Sequence, residues 1–537
     1  MAKTTRRSTP RVKTGCRTCR VRRVKCDEAK PSCLKCTQTG RKCDGYAPPT
    51  RAGQSPNSAR SSPGLLELTA YSIPFRMPGS QRDRQLLHYF CVRGSAELSG
   101  FVNNDFWSRT ALLASQNETI VRQSLIALSS LHLDLSRAPG SGPGTDVVGS
   151  ETLAQYGKAL RSLQTRINRP DETPEARFET SKAALICCAL FHCFESAMGE
   201  SEAAMRHLSN GLHLLAEHDK HQTIEDEHMP SLRDLFGRLD LQATFYDDGR
   251  TPALDMVSHV ERNTGLFACP MGTFFTLCEA QKHLNRLQNW LLHLITDNLQ
   301  YHNRPAHCVP QSALAEKAQL VTEFEHWARR YDNFISGSSE FGLSGTVRGG
   351  RDRAVRTLWV HHAMSEMLLA SKIPDDPEVF GTVPNQRALL LVRQCESILL
   401  PQTGADSTAS PSSPSSGTST SVPSRSLSSE TGVIVALFLL AMKCADEQVI
   451  EEATDLLVAS QRREGLYDAV TMATLVQQLK RVRNRRKQGL EEVGLGFGGE
   501  IPLEDWVEDL IEKNPGGAGD LASLVGELPV RCLGERT

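Results

Sequence analysis

Six cysteines carry the chemistry of this chain: Cys16, Cys19, Cys26, Cys33, Cys36 and Cys43. Their spacing is C-x2-C-x6-C-x6-C-x2-C-x6-C, so the second half repeats the first at an offset of 17 residues. Paired C-x2-C units are a ligand set for a tetrahedral metal. One ion takes about four sulfurs and strands the rest, while two separate ions need about eight. Two ions fit six thiolates if two sulfurs bridge them, and the internal repeat lets each half donate three. Tetrahedral sulfur suits zinc or an iron–sulfur cluster. The spacing is not that of ferredoxins, so zinc is expected. Three disulfides are the competing arrangement. The run is rich in Arg and Lys, and residues 1–13 lack an apolar stretch, so neither a secretory signal nor an oxidising compartment is expected.

Between the second and third cysteine lies Arg20-Val21-Arg22-Arg23-Val24-Lys25, four cations in six residues. A metal store has no use for such a positive face; a nucleic-acid reader does. Arginine binds guanine O6 and N7 bidentately in the major groove. Phosphate contacts set register without carrying sequence information. The charge distribution agrees. Residues 1–50 hold 14 Lys and Arg against 3 Asp and Glu, leaving 47 against 59 in the rest of the chain. Six thiolates and two dications add a net −2 that belongs in this sum, and the head remains strongly basic. A basic head on an acidic body is the asymmetry of a nucleic-acid reader with a separate effector part.

The run resembles the fungal Zn2Cys6 binuclear-cluster transcription factors at every cysteine. The resemblance implies two Zn²⁺ ions held by the six cysteines, with Cys16 and Cys33 as the bridging pair. It implies two short helices, one per half, joined by a loop that turns at Pro31. The first helix would enter the major groove of double-stranded DNA, with Arg22 and Arg23 reading a CGG-type triplet. Arg20, Lys25, Lys30 and Lys42 would touch phosphate. Lysine is frequent at the family's reading positions, and arginine at both departs from that pattern. The resemblance also implies a nuclear protein regulating transcription by RNA polymerase II. The rival reading is a helical scaffold or ligand-binding regulator whose zinc cluster is structural and contacts protein.

These elements sit in a longer plan. A disordered basic arm is expected over 1–13, the Zn2Cys6 DNA-binding domain over 14–46 and a Pro/Ser/Gly/Arg linker over 47–81. No a/d heptad run follows the cluster, so no coiled coil is expected there and the oligomeric state stays open. An all-α domain is expected over 82–489, interrupted by a disordered Ser/Thr/Pro insert at 402–430, with a tail over 490–537. Val121, Leu125, Leu128, His132 and Leu135 fall on one helix face, as do Tyr156, Leu160, Leu163 and Ile167. Helical patterning continues at 181–198, 202–218, 230–246, 274–299, 311–333, 351–371, 386–400, 431–445, 447–464 and 468–486. The basic run 480–487 reads as a solvated helix face. The longest apolar run, Val433 to Met442, is shorter than the ~20 residues a membrane span needs, and no membrane segment is expected.

The region 86–486 also resembles the fungal-specific transcription factor domain. Tyr156-Gly157-Lys158-Ala159-Leu160-Arg161 matches its Tyr-x-Lys-Ala helix, and His207-Leu208-Ser209-Asn210-Gly211-Leu212-His213-Leu214-Leu215 its His-Leu-x-x-Gly-Leu segment. Met442-Lys443-Cys444-Ala445-Asp446 matches its late helix pair. The resemblance implies an all-α domain, and that helical body is expected to set output through co-regulators or a small molecule. No phosphate-binding glycine loop, G-x-S-x-G or H-E-x-x-H occurs, and no enzyme is expected. The other ten cysteines, Cys91 to Cys532, form no second C-x2-C and are expected to be reduced and mostly buried.

Overall fold

The computed structural model describes residues 16–45 except Arg23, and residues 78–480 except 102–104, 138–147, 170–172, 222–225, 248–249, 268–271, 302–303, 338–344 and 400–425. The basic arm, most of the linker, most of the Ser/Thr/Pro insert, residues 481–487 of the basic run and the tail lie outside the described residues. The chain divides into two units, Met1–Glu67 and Leu68–Thr537. The first holds two short helices, α1 (Arg17–Val21) and α2 (Leu34–Thr37), one in each half of the cysteine repeat.

The second unit is helical. It opens at α3 (Gln81–Tyr89), where a capping box fixes the first turn: Ser80 Oγ accepts from Asp83 N at 3.1 Å and Asp83 Oδ2 accepts from Ser80 N at 2.9 Å. A π-helical turn at Phe90–Gly94 leads into α4 (Ser95–Leu98), and a second at Phe106–Thr110 leads into α5 (Ala111–Asn117). Then come α6 (Thr119–Arg137), α7 (Ser150–Ile167), α8 (Pro174–Met198), α9 (Ser201–His221) and α10 (Met229–Tyr246). After α11 (His259–Thr264), the long helices α12 (Leu277–Asp297), α13 (Gln311–Gly337) and α14 (Gly345–Ala370) follow. The short α15 (Glu378–Gly381) precedes α16 (Gln386–Leu399), α17 (Ile434–Lys443) and α18 (Glu447–Ser460). A last helical stretch occupies 469–480.

The periodicity identifies the core faces. Val121, Leu125, Leu128 and His132 of α6 are all buried, and the His132 ring nitrogen Nδ1 lies 2.7 Å from the Tyr89 hydroxyl. On α7 the expected stripe holds at Tyr156, weakens at Leu160 and Leu163, and fails at Ile167, which is exposed where the helix ends. Helix α8 starts a full turn and more before the expected 181. Thr173 caps it, accepting from Ala176 N at 3.1 Å, and Pro174 takes the first helical position, where no N–H is needed.

Helix α8, unlike the apolar run Val433 to Met442, is long and apolar enough to cross a membrane. In the fold 78% of that apolar window is buried, because α8 packs between α6 and α9. It is the central core helix of this unit, apolar on nearly every face for that reason.

The family-like motifs meet on α8. The Tyr156 hydroxyl of α7 donates to Glu195 of α8 and lies 3.3 Å from His207 Nε2 of α9. The Tyr156 ring stacks on Phe194, with centroids 4.0 Å apart. His207 is half-buried, with the Tyr156 hydroxyl as its hydrogen-bond partner. Gly211 supplies the close approach. A Cβ there would lie 2.3 Å from Phe236 Cε1 and 3.2 Å from Cys188 Cβ.

Strands appear where none was expected. Residues 426–430, expected inside the disordered insert, contain β1 (Ser426–Ser428). It pairs in parallel with β2 (Arg462–Glu464), which pairs antiparallel with β3 (Tyr467–Asp468). Helix α18 therefore stops at Ser460 rather than 464. Glu464, almost wholly buried, explains the arrangement. Its Oε2 accepts from Gly432 N and Ile434 N, each at 2.9 Å, and its Oε1 from Arg462 Nε at 2.7 Å, so one carboxylate caps α17.

Of the cysteines outside the repeat, Cys187, Cys188, Cys193, Cys395 and Cys444 are buried free thiols, as expected. Burial pushes Cys187, Cys188 and Cys444 up to about 12. Cys91 and Cys308 differ: both are exposed.

Alanine in place of an interior helical glycine ordinarily stabilises by ~1 kcal/mol. At Gly211 the sign reverses, because the new methyl overlaps Phe236. Gly211→Ala is expected to destabilise the helical unit by roughly 1–3 kcal/mol. A lower denaturant midpoint at constant slope is the expected reading, and an unchanged or higher midpoint would refute the close approach.

Candidate metal centre

The first unit has almost no hydrocarbon to bury. Among its described residues Val21 and Leu34 are 79% and 55% exposed, while Cys16, Cys19, Cys33 and Cys36 are fully buried. Cys26 and Cys43 pack against those four. Sulfur is the core of this unit.

The sulfurs form two overlapping quartets: Cys16, Cys19, Cys26 and Cys33, and Cys16, Cys33, Cys36 and Cys43. Within each quartet all sulfurs lie within 4.8 Å of one another. Cys16 and Cys33 belong to both, and their sulfurs are 3.5 Å apart. Within the quartets, Cys16 to Cys36 and Cys19 to Cys33 are 3.8 and 3.6 Å. The edge of a tetrahedron of sulfurs about 2.3 Å from a zinc ion is about 3.8 Å. The spacing therefore fits the metal, and all six cysteines are free thiols rather than disulfides.

The thiol chemistry points the same way. Burial pushes the Cys16 thiol up to about 12 and raises Cys19 and Cys33 as well. Sulfurs so crowded resist ionising together unless a cation sits among them; a divalent ion bound there would hold them as thiolates. Backbone N–H groups already face two of the sulfurs. Cys16 N donates to Cys26 Sγ and Cys19 N to Cys16 Sγ, both at 3.4 Å.

The 17-residue repeat extends past the cysteines. Each half ends Lys-Cys-Asp: Lys25-Cys26-Asp27 and Lys42-Cys43-Asp44. Each aspartate holds the helix of the opposite half. Asp27 Oδ2 accepts from Leu34 N at 2.9 Å and Oδ1 from Lys35 N at 3.1 Å, capping α2. These N–H groups, Lys35 foremost, hold the Asp27 carboxyl below its usual range. Asp44 Oδ2 accepts from the Thr18 hydroxyl of α1 at 2.9 Å, and Asp44 N donates back to that hydroxyl at 3.0 Å. The residues after the aspartates, Glu28 and Gly45, match in turn, with φ of 61° and 72°. The chain turns between the halves at Pro31, after a cis Lys30–Pro31 bond.

The cations fall into three groups. Arg22 is half-buried, and its Nη1 donates to Thr39 Oγ1 at 3.1 Å. Thr39 is the repeat partner of Arg22, and its hydroxyl in turn donates to Lys35 O at 2.8 Å. Lys25, Lys30 and Lys42 are exposed. Arg20 lies on α1, but its side chain and the whole of Arg23 are outside the described residues. Sequence reasoning missed Asp27, Asp44 and Thr39. The repeat offset was the signal, had it been followed beyond the cysteines.

Residues 14–53 match the family model of the fungal Zn(2)-Cys(6) binuclear cluster domain, and residues 85–303 match the fungal specific transcription factor domain. The chain carries the two domains of a fungal Zn(2)-Cys(6) transcription regulator. It is 25% identical to the aspercryptin biosynthesis cluster-specific transcription regulator atnN of Emericella nidulans, over 88% of this chain and 87% of that protein. It is 33% identical to transcription regulator lscL of Purpureocillium lilacinum, over 38% of this chain and 50% of that protein. Identity to the transcriptional regulatory protein moc3 of Schizosaccharomyces pombe is 38%, over 21% of this chain and 22% of that protein. No solved structure matches the chain. The matched domains and these similar regulators support zinc binding, DNA binding and transcription regulation.

If Asp27 ties the halves together, Asp27→Ala will loosen α2 and release zinc at several-fold lower chelator concentration than the unaltered chain. A metallochromic dye titration reads this directly. Identical release curves would reduce the carboxylate to a surface contact.

Proposed function

We propose that the six cysteines hold two Zn²⁺ ions, with Cys16 and Cys33 shared, and that the metal-built head reads double-stranded DNA. The observation that carries this reading is the pair of sulfur quartets overlapping at Cys16 and Cys33, directly beside the cation-rich α1. Zinc folds the head, because no hydrocarbon core is available to do so. Helix α1 enters the major groove, where Arg22 and Arg23 bind guanine edges of a CGG-type triplet. Four of the five Arg22 N–H donors remain for bases, and Thr39 fixes the direction of the guanidinium. Arg20, Lys25, Lys30 and Lys42 bind phosphate and set the register. The protein acts in the nucleus on RNA polymerase II promoters, without covalent chemistry. Residues 14–46 supply recognition, and the helical domain over 82–489 passes it to co-regulators.

Selection of bound duplexes from a random pool tests the reading and returns the motif. On that motif, Arg23→Ala is expected to flatten preference at one base position, a loss of about 1–3 kcal/mol of discrimination. Lys25→Ala is expected to weaken all duplexes alike and to reduce the salt slope by about one. Equal, sequence-independent losses for both variants would remove the reading role. Native mass spectrometry of the chain should find two zinc ions, and any other number would defeat the shared-sulfur arrangement.

A further inference from the structure

Helix α1 turns an aliphatic side chain outward. Val21 is 79% exposed. The cause is helix geometry. Cys19, wholly buried among the sulfurs, lies two residues earlier on the same helix, and a two-residue step turns about 200° around the axis. Val21 therefore points away from the metal centre. The next residue, Arg22, is half-buried, and its Nη1 reaches back to Thr39 Oγ1 of the second half at 3.1 Å.

The fold has no need of an apolar group at this position. The 17-residue repeat supplies the comparison. The residue equivalent to Val21 is Gln38, which is also exposed. One half of the duplication thus accepts an amide where the other carries an isopropyl group. The apolar choice falls in the half that holds Arg20-Val21-Arg22-Arg23. Single exposed aliphatics are ordinary on a protein surface. An aliphatic between cations, on the outward face of the helix assigned to DNA, is placed to meet an apolar group of the duplex. The major groove offers one, the C5-methyl group that thymine alone presents. Valine has no hydrogen-bonding atom in its side chain, so phosphates and polar base edges give it nothing to bind.

We propose that Val21 is a specificity residue whose isopropyl group packs on the C5-methyl of a thymine within or beside the triplet. The inference rests on the proposed entry of α1 into the major groove. It adds a base position that the arginines do not set. Arginine selects guanine through two polar acceptors, whereas this contact selects thymine by shape and by removal of water. It involves no charge, so it changes base preference without changing the number of counterions released.

The test uses the full zinc-loaded chain and the duplex returned by selection from a random pool. Each thymine of that duplex is replaced, one at a time, by 2′-deoxyuridine, which keeps every Watson–Crick hydrogen bond and lacks only the C5-methyl. At one position the unaltered chain is expected to bind the uridine duplex about three- to fivefold more weakly, the effect of exposing one buried carbon. Val21→Ala should weaken binding to the thymine duplex by a similar factor and should no longer separate the two duplexes. Its zinc content and salt slope should match those of the unaltered chain. Equal binding of thymine and uridine duplexes at every position, a selected motif without thymine, or a thymine preference that survives Val21→Ala overturns the proposal and leaves the arginine reading standing. Failure of that reading looks different: the selection returns no motif, which overturns both.

Discussion

The recognition unit depends on one constraint: sulfur stands where other small domains place hydrocarbon. Four cysteines are wholly buried and the nearby aliphatic side chains face solvent. Crowded thiols have no strong mutual attraction, and burial raises the pKa of Cys16, Cys19 and Cys33, so negative charge is unwelcome among them. A divalent cation reverses that balance by making each sulfur an attractive partner. The energetics of this unit are therefore those of metal coordination, coupled to folding in a single step.

Around that centre the chain uses its own duplication. The 17-residue repeat gives two halves with the same sulfur arrangement, and the aspartates after Cys26 and Cys43 reach across to the helix of the other half. Each half thus completes its neighbour rather than itself. The link from Arg22 to Thr39 follows the same rule, joining equivalent positions of the two halves. A guanidinium fixed in direction in this way loses less freedom when it binds a further partner.

The sequence was legible wherever a pattern was periodic. The sulfur spacing led to two ligand sets that share two sulfurs, the family resemblance named Cys16 and Cys33 as the shared pair, and the 3.6-residue rhythm located the long helices to within a few residues at most ends. The start of helix α8 was placed about two turns late because Pro174 to Thr180 carry little apolar rhythm, although Thr173 and Pro174 are good start signals. The buried span in α8 was overlooked because Glu195 and the small residues dilute its hydropathy. The strands were illegible for another reason. Ser426–Ser428 has no hydrophobic alternation, and what holds it is remote: Ser428 O accepts from Gly465 N at 2.7 Å, and Ser429 N donates to Leu98 O at 3.1 Å. Partners 37 and 331 positions away in sequence decide that conformation, and no local window contains them.

The Glu464 carboxylate has a consequence for the evolution of the helical unit. By gripping Gly432 and Ile434 it fixes where α17 begins, independently of the 26 positions separating Leu399 from Ser426. Loop-closure entropy rises only logarithmically with length. That connection can therefore grow, shrink or drift in composition without shifting the helices on either side, leaving a stretch of sequence open to new sites of modification while the bundle keeps its register.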